Sequence, residues 1–264
     1  MIQSVDRAAR ILQALASGGP SLGVTELAEG LRLAKPTVHG LLRTLVHSGL
    51  VQQDISTGRY FLGPGVLRLG NAYLAGSELR SRSMMRALDL AQQVNESVWV
   101  TVLTAESVTV VHHEFRPDDA VQILEVGATV PWHACALGHA IVAHLDDSVV
   151  NTMLGVELRA LTGRTKTSPT VLRKVLAGVR SKGVAVEDQE ATVGDAGIAA
   201  PVFDHSGHAV GAIGLVGPVD RLLSRQRKSP LERAVMNTAW VVSRELGAPR
   251  TSRSPLRGPG QHDH

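Results

Sequence analysis

A single cysteine, Cys135, in 264 residues rules out an intrachain disulfide and a thiolate metal cluster, which suits a reducing compartment. Aromatic residues make up only 3%. The cores must therefore be filled with Leu, Val, Ile and Ala, and recognition by stacking bases on aromatic platforms, the habit of single-strand and RNA readers, is excluded. No uninterrupted apolar run approaches the ~20 residues needed to cross a bilayer. The opening residues Met1 to Arg7 lack the apolar core of a signal peptide, so a cytoplasmic protein without membrane association is expected. Charged residues are 19% against 44% hydrophobic, too few for a solvated polyelectrolyte. One further absence is local. Between Gly30 and Gln53 there is no Asp or Glu, while Arg32, Lys35 and Arg43 all fall there. The formal charge of +3 is only a mild bias toward anionic partners. An acid-free basic stretch is a sharper signal, because each phosphate contact exchanges a bound counterion for a protein cation.

The periodicity around that stretch predicts its architecture. Val5, Ala8, Ala9, Ile11, Leu12 and Leu15 form an apolar stripe at helical spacing, which Ser17-Gly18-Gly19-Pro20 stops. A second helix is expected near Thr25 as its cap, with Glu26 in the first turn. A third starts around Pro36 and ends at Gly49. The period then drops to two. Leu50 to Gln53 and Arg59 to Leu62 read as strands joined by a turn over Asp54 to Gly58. Helix–helix–turn–helix–hairpin is the order of a winged helix, whose third helix enters the major groove of double-stranded DNA. With Val38, Leu41, Leu42 and Leu45 facing the core, Lys35, Thr37, His39, Gly40, Arg43 and Thr44 are left to meet bases and phosphates, and Arg59 beside the wing turn to meet the backbone or minor groove.

Beyond residue 63 two helices, Val66 to Leu74 and Leu79 to Val94, read as a linker over 64–95. Strands are expected over 98–103, 108–113, 121–126, 199–203 and 210–216, and helices over 136–145, 149–154, 169–182 and 229–246. Strands interleaved with helices make an α+β domain over 96–247. The Gly-, Pro-, Ser- and Arg-rich residues 248–264, with Arg250, Arg253 and Arg257, read as a disordered tail.

Several stretches carry a family resemblance. Thr25-Glu26-Leu27-Ala28-Glu29, Lys35-Pro36-Thr37-Val38, Leu41-Leu42-Arg43-Thr44-Leu45 and Gly49-Leu50-Val51 resemble the winged helix of IclR-type transcriptional regulators. The run from Pro131 through His133 and Cys135 to Gly138-His139-Ala140 resembles that family's Pro-x-His-x-x-x-x-Gly-Lys-Ala segment, and Ala199-Ala200-Pro201 its Ala-Ala-Pro strand. The likeness runs from Gln3 to Leu246. It implies a GAF-like effector-binding second domain, a homodimer or homotetramer, and an operator of roughly two-fold symmetry. It also implies effector positions. Relatives that bind small organic acids hold the carboxylate on backbone amides that match Ala136 and Leu137, at a helix start suited to an anion. Their acidic residue matches Glu187, a cysteine is replaced by Gly197, and two serines become Gly214 and Val216. Val130, His133 and Asp195 complete the implied lining. Loss of a thiol and two hydroxyls implies either a roomier, less polar wall or a ligand that reaches other groups such as His133. Arg32 stands where many relatives carry glycine. A narrower likeness, in Val111 to Asp119, Leu124 to Ala128 and the pair His39-Gly40, is to the actinobacterial branch that controls glycerol operons, and it implies glycerol 3-phosphate as effector.

Other signals point away from chemistry. His112 and His113 are adjacent on a strand and so face opposite ways, which is poor geometry for one metal ion. Cys135 between His133 and His139 has the look of a nucleophile, but nothing supplies both a base and an orienting acid. Gly211, Gly214 and Gly217 lie within a strand pattern rather than at a strand-to-helix turn, so they do not form a dinucleotide loop. No catalytic residue, metal or cofactor is expected. The alternative left open is a small-molecule enzyme carrying an N-terminal interaction module.

Overall fold

The apolar stripe of the opening segment becomes α1, Gln3–Ser17, with Ile11 and Leu15 buried. The computed structural model describes residues 2–118 and 122–249. It divides into two compact units that meet between Gly76 and Ser77. In the first, α1 is followed by α2 (Val24–Leu31), α3 (Lys35–His47), strands β1 (Val51–Gln53) and β2 (Tyr60–Leu62), and α4 (Pro64–Ala75). Ile11, Leu27, Val38, Leu42, Val51 and Tyr60 from all three leading helices and both strands form one core. Each such aliphatic side chain contributes about 1.5–3 kcal/mol on burial.

Local chemistry explains the boundaries. The cap of α2 is Gly23, not Thr25, because the Gly23 N–H donates to Glu26 Oε2 at 2.6 Å. This places Thr25 inside the first turn. α3 carries Pro36 in its first turn, where no intrahelical N–H is missed. The wing is antiparallel, Val51 opposite Leu62 and Gln53 opposite Tyr60. Its turn is knotted by Asp54, whose Oδ1 accepts from the Ser56 N–H and hydroxyl at 2.8 and 2.6 Å. These bonds hold the Asp54 carboxyl down at about 2. Gly63 is required at the exit of the wing, since a Cβ there would stand 2.4 Å from the Gly49 carbonyl oxygen.

The second unit runs α5 (Glu78–Val94), β3 (Val98–Thr104), β4 (Ser107–Glu114), β5 (Thr129–Pro131), a 3-10 turn at Trp132–Ala134, α6 (Ala136–Val142), α7 (Asp147–Leu154), α8 (Pro169–Lys182), β6 (Ala185–Asp188), β7 (Asp195–Phe203), β8 (Ala209–Pro218), α9 (Val219–Leu222) and α10 (Lys228–Glu245). The strands form one antiparallel sheet in the order β5-β4-β3-β8-β7-β6. Strand alternation splits it into two faces. Ala185, Ala199 and Ala212 share a core with α6, α7 and α8, whereas α5 and α10 pack against the sheet from the opposite side. This is the α+β, GAF-like sandwich expected. A buried clamp closes one end of it: Glu96, 1% exposed, holds Arg227 at 2.7 Å and Arg221 at 2.9 Å.

Several expectations are corrected. The strand expected at 121–126 is not one over 122–126, where Ile123 and Leu124 are exposed; Val121 lies outside the described residues. The strand that pairs with the start of β4 is β5, Val130 opposite Val108. The helix after the Pro-x-His segment ends at Val142 rather than 145, and β7 begins at Asp195 rather than 199. β6 and α9 were not anticipated. The two helices expected as a linker divide between the units, α4 in the first and α5 in the second. Of the tail, Ala248 is buried, 1% exposed, and its carbonyl accepts from Arg244. Arg250, Arg253 and Arg257 lie outside the described residues. No helix among the described residues is long and apolar enough to cross a membrane.

Candidate nucleic-acid interface and effector pocket

α3 buries Val38, Leu42 and Leu45 on one side. At roughly 100° per residue the opposite side is centred on Gly40, flanked by Pro36, Arg43, Thr44 and His47. Lys35, His39, Gly40, Arg43 and Thr44 are exposed and Thr37 is half-buried. Six of the seven residues picked for DNA contact therefore share one surface helix. A Cβ on Gly40 would meet nothing within 4 Å, so packing does not demand glycine there. Glycine costs this helix about 1 kcal/mol relative to alanine. Its missing side chain leaves a notch in the exposed face of the helix. The Thr44 hydroxyl bonds back to the Gly40 carbonyl at 3.2 Å and reinforces the turn around that notch.

Arg59 is tied within the fold. Its Nε donates to Ser21 Oγ at 3.0 Å and its Nη2 to the Ser21 carbonyl at 2.8 Å, and it pairs with Glu26 at 2.9 Å. It ties the wing to the approach of α2. The wing presents instead an exposed tip that includes Ile55, 98% exposed, for which no sequence pattern gave a signal. Arg32, exposed at the end of α2, has φ 55° and ψ 46°. It occupies the left-handed conformation that glycine adopts freely.

In the second unit the α6 face of the sheet gathers the implied effector lining. Glu187, Gly197 and Val216 lie in register across β6, β7 and β8. A Cβ on Gly197 would stand 3.2 Å from both Ala136 Cβ and Glu187 Oε1, so three of the implied residues meet at one point. Asp195 begins the same strand on the same face, Leu137 is buried beside Ala136, and Val130 packs on the same core. Two of the implied residues also serve the fold. The Nε2–H of His133 donates to the Arg159 carbonyl at 2.9 Å, which occupies it within the fold. Gly214 is a point of close strand approach, since a Cβ there would stand 2.5 Å from the Ile198 oxygen and 2.7 Å from Ala199 Cβ.

Register also brings in residues that sequence reasoning missed. On this face Trp99 lies between His113 on one side and Gly214 on the other, its ring 5.9 Å from that of His113. The Glu125 N–H donates to His113 Nδ1 at 3.2 Å, so Nε2 carries the proton and donates to Ser97 Oγ at 2.8 Å. Burial, with His112 adding to it, lowers the His113 pKa. His112 turns the other way, its Nε2 on Glu114 at 3.1 Å, as the alternation of a strand requires.

Electrostatically this cluster is unusual. Burial pushes the Glu187 carboxyl up to about 7; the neighbouring Glu190 charge adds to this, while the Glu190 N–H on Glu187 Oε2, at 2.9 Å, opposes it. Glu190, 1% exposed, is paired with Lys166. Cys135 caps α6, accepting from the Gly138 N–H at 3.3 Å, and burial pushes its thiol up to about 12. It is a neutral packing group, not a thiolate. His139 donates from Nε2 to the His133 carbonyl at 2.8 Å, and burial holds it neutral, down at about 4.

Comparison with known proteins agrees with both units. The bacterial transcriptional regulator IclR C-terminal family matches residues 71–244, and the IclR helix-turn-helix domain matches residues 4–54. The chain is 44% identical over 250 residues to the glycerol operon regulatory protein of Streptomyces coelicolor, covering 94% of this chain and 98% of that one. The same figures hold for the protein of that name from Streptomyces griseus. Among solved structures, an IclR transcriptional regulator from Alicyclobacillus acidocaldarius superposes with a TM-score of 0.80 at 26% identity, over 92% of this chain and 98% of that one.

Proposed function

The chain belongs to the IclR family of bacterial transcriptional regulators and is a metabolite-responsive DNA-binding regulator; on that premise we propose that it controls a glycerol catabolic operon, with glycerol 3-phosphate as the effector. The observation that carries the glycerol reading is the likeness to the two Streptomyces regulators, which extends through both units. In this reading α3 lies in the major groove. Lys35, Thr37 and His39 reach base edges or the nearest phosphates, Gly40 admits the duplex, and Arg43 and Thr44 hold phosphate. A homodimer or homotetramer presents paired reading helices to an operator with half-sites about 34 Å apart. The effector lies on the α6 face, with Ala136, Leu137 and Glu187 for its polar groups and Val130, Gly197 and Val216 as its wall. Its influence on operator affinity equals its differential affinity for the two states of the assembly. The protein works in the cytoplasm and acts by binding rather than turnover. The neutral Cys135 thiol supports a non-catalytic role.

A thermal-shift titration tests the effector. A ligand at a hundred times its dissociation constant stabilises by about 2.7 kcal/mol. For a unit of this size that raises the melting temperature by roughly 5–10 °C. The expected result is such a rise with glycerol 3-phosphate, accompanied by changed affinity for the operator. No rise with glycerol 3-phosphate refutes this effector assignment.

A further inference from the structure

A recess lies apart from the α6-face cluster described above. The strand β6 covers β7 only between Ala196 and Ala199, so Ala200 to Phe203 run on past it as an uncovered edge. α8 and α10 flank that edge, and α7 closes the end. Together they enclose a groove of about 1100 Å³ within the second unit, comparable to small-molecule sites, which run roughly 300–1,000 Å³. Its walls are apolar, with Val150, Leu176, Phe203, Met236 and Trp240 among them. α8 turns one stripe toward it, Arg173, Leu176, Ala177, Arg180 and Ser181, at i, i+3, i+4, i+7 and i+8. The charge is lopsided: Arg173, Arg180 and Lys182 line the groove against a single acid, Asp147. Arg180 is held in place by the carbonyls of Ala143 and Leu145, at 2.6 and 3.3 Å, and its contact with the exposed Asp147 is 3.7 Å. Arg173 and Lys182 have no ion-pair partner among the described residues.

The edge itself narrows the choice of occupant. An added strand needs alternate N–H donors on the edge it joins. Pro201 has none, and the Phe203 N–H is taken by Ser243 Oγ at 2.9 Å. A peptide or a second copy joining as a strand is therefore disfavoured. His144 lines the groove edge-on to Phe203, ring centroids 5.0 Å apart, and its Nε2 is buried without a partner.

We propose that this groove is a second small-molecule site, distinct from the α6-face pocket, that takes an amphipathic organic anion: an acyl or aryl body laid between Trp240, Met236 and Leu176, with its carboxylate or phosphate at Arg173, Arg180 and Lys182. Along α8 the two arginines are seven residues apart, roughly 10 Å, which allows an elongated body to lie beside the helix. The floor supplies dispersion and desolvation, and the cations fix polarity.

The full-length protein is titrated with 8-anilinonaphthalene-1-sulfonate, with decanoate as competitor. Expected is saturable binding of one probe per chain, displaced by decanoate and carrying energy transfer from Trp240 that the Trp240→Phe variant loses. The exposed double change Arg173→Glu with Lys182→Glu should weaken binding roughly tenfold or more, the order expected for lost contacts to a charged group, while operator affinity and circular dichroism stay as in the parent. Glycerol 3-phosphate and the Glu187→Gln change should leave the probe in place. Absence of saturable binding, equal affinity in the charge-reversed protein, or displacement of the probe by glycerol 3-phosphate overturns the proposal. So does a change of oligomeric state in the charge-reversed protein without probe binding, which would assign the groove to contact between copies.

Discussion

Gly138 sits inside α6, where helix propensity alone predicts that alanine would be better by about 1 kcal/mol. The fold predicts the opposite. A Cβ on Gly138 would stand 2.2 Å from the Trp132 carbonyl oxygen and 2.5 Å from its Cα. Both are backbone atoms of the preceding 3-10 turn, so no flexible side-chain tip can move aside. Ordinary contact requires a shift of roughly 1 Å in a segment whose tryptophan is 1% exposed. Overpacking of this kind costs about 3 kcal/mol. Net of propensity, Gly138→Ala should destabilise the second unit by about 2 kcal/mol. With a slope of about 2 kcal/mol per molar urea, the midpoint falls by about 1 M. The assay is urea denaturation followed by tryptophan fluorescence. Trp99, Trp132 and Trp240 all lie in the second unit, so the signal reports that unit alone. A midpoint that rises, or stays within about 0.2 M of the parent, refutes the reasoning and returns the decision to helix propensity.

Three further outcomes follow from the same geometry. Arg43→Ala should lower the slope of log affinity for operator against log salt by about 1, whereas Arg59→Ala should weaken binding with the slope unchanged, because its guanidinium is spent on Ser21 and Glu26; an equal loss of slope in both would place Arg59 on phosphate. Arg32→Gly should relieve a left-handed arginine and slow amide exchange across α2 and α3 by up to about 1 kcal/mol, and faster exchange would contradict that. Glu187 has its folded pKa raised from 4.5 to about 7, so the folded state holds a proton that the unfolded state has released and stability falls as pH rises between those values. Glu187→Gln, which mimics the protonated form, should flatten that decline and gain on the order of 3 kcal/mol at pH 8 relative to the parent; parallel pH profiles for parent and variant would show that the carboxyl is not perturbed.

The winged helix was legible because each of its signals is local: the helical stripe, Pro36, the acid-free stretch and the strand pair around Asp54 to Gly58. Less legible were the cap of α2, which is Gly23, and the partners of Arg59. Ser21 lies 38 residues away, and nothing in the sequence marks it as an acceptor for the wing. In the second unit the family motif located Ala136, Glu187 and Gly197, and the fold brings them together. Trp99 and His113 stayed hidden because their place on the pocket face depends on the register of β3 against β4 and β8, which single-strand patterns do not encode. The same holds for β5, only three residues long, and for β6, only four. The close approach of two strands at Gly214 is likewise set by register.

In the proposed function this chain reads a specific duplex through α3 under the control of a bound metabolite. Its most direct test is a titration of the full-length protein, at physiological salt, with the duplex upstream of a glycerol catabolic operon and with a random duplex of equal length, each with and without glycerol 3-phosphate. Binding to the operator should be at least about a thousandfold tighter than to random DNA, the operator affinity should change when glycerol 3-phosphate is added, and the preference should be lost when Lys35 and Arg43 are both replaced by alanine. Equal affinity for the two duplexes would contradict it.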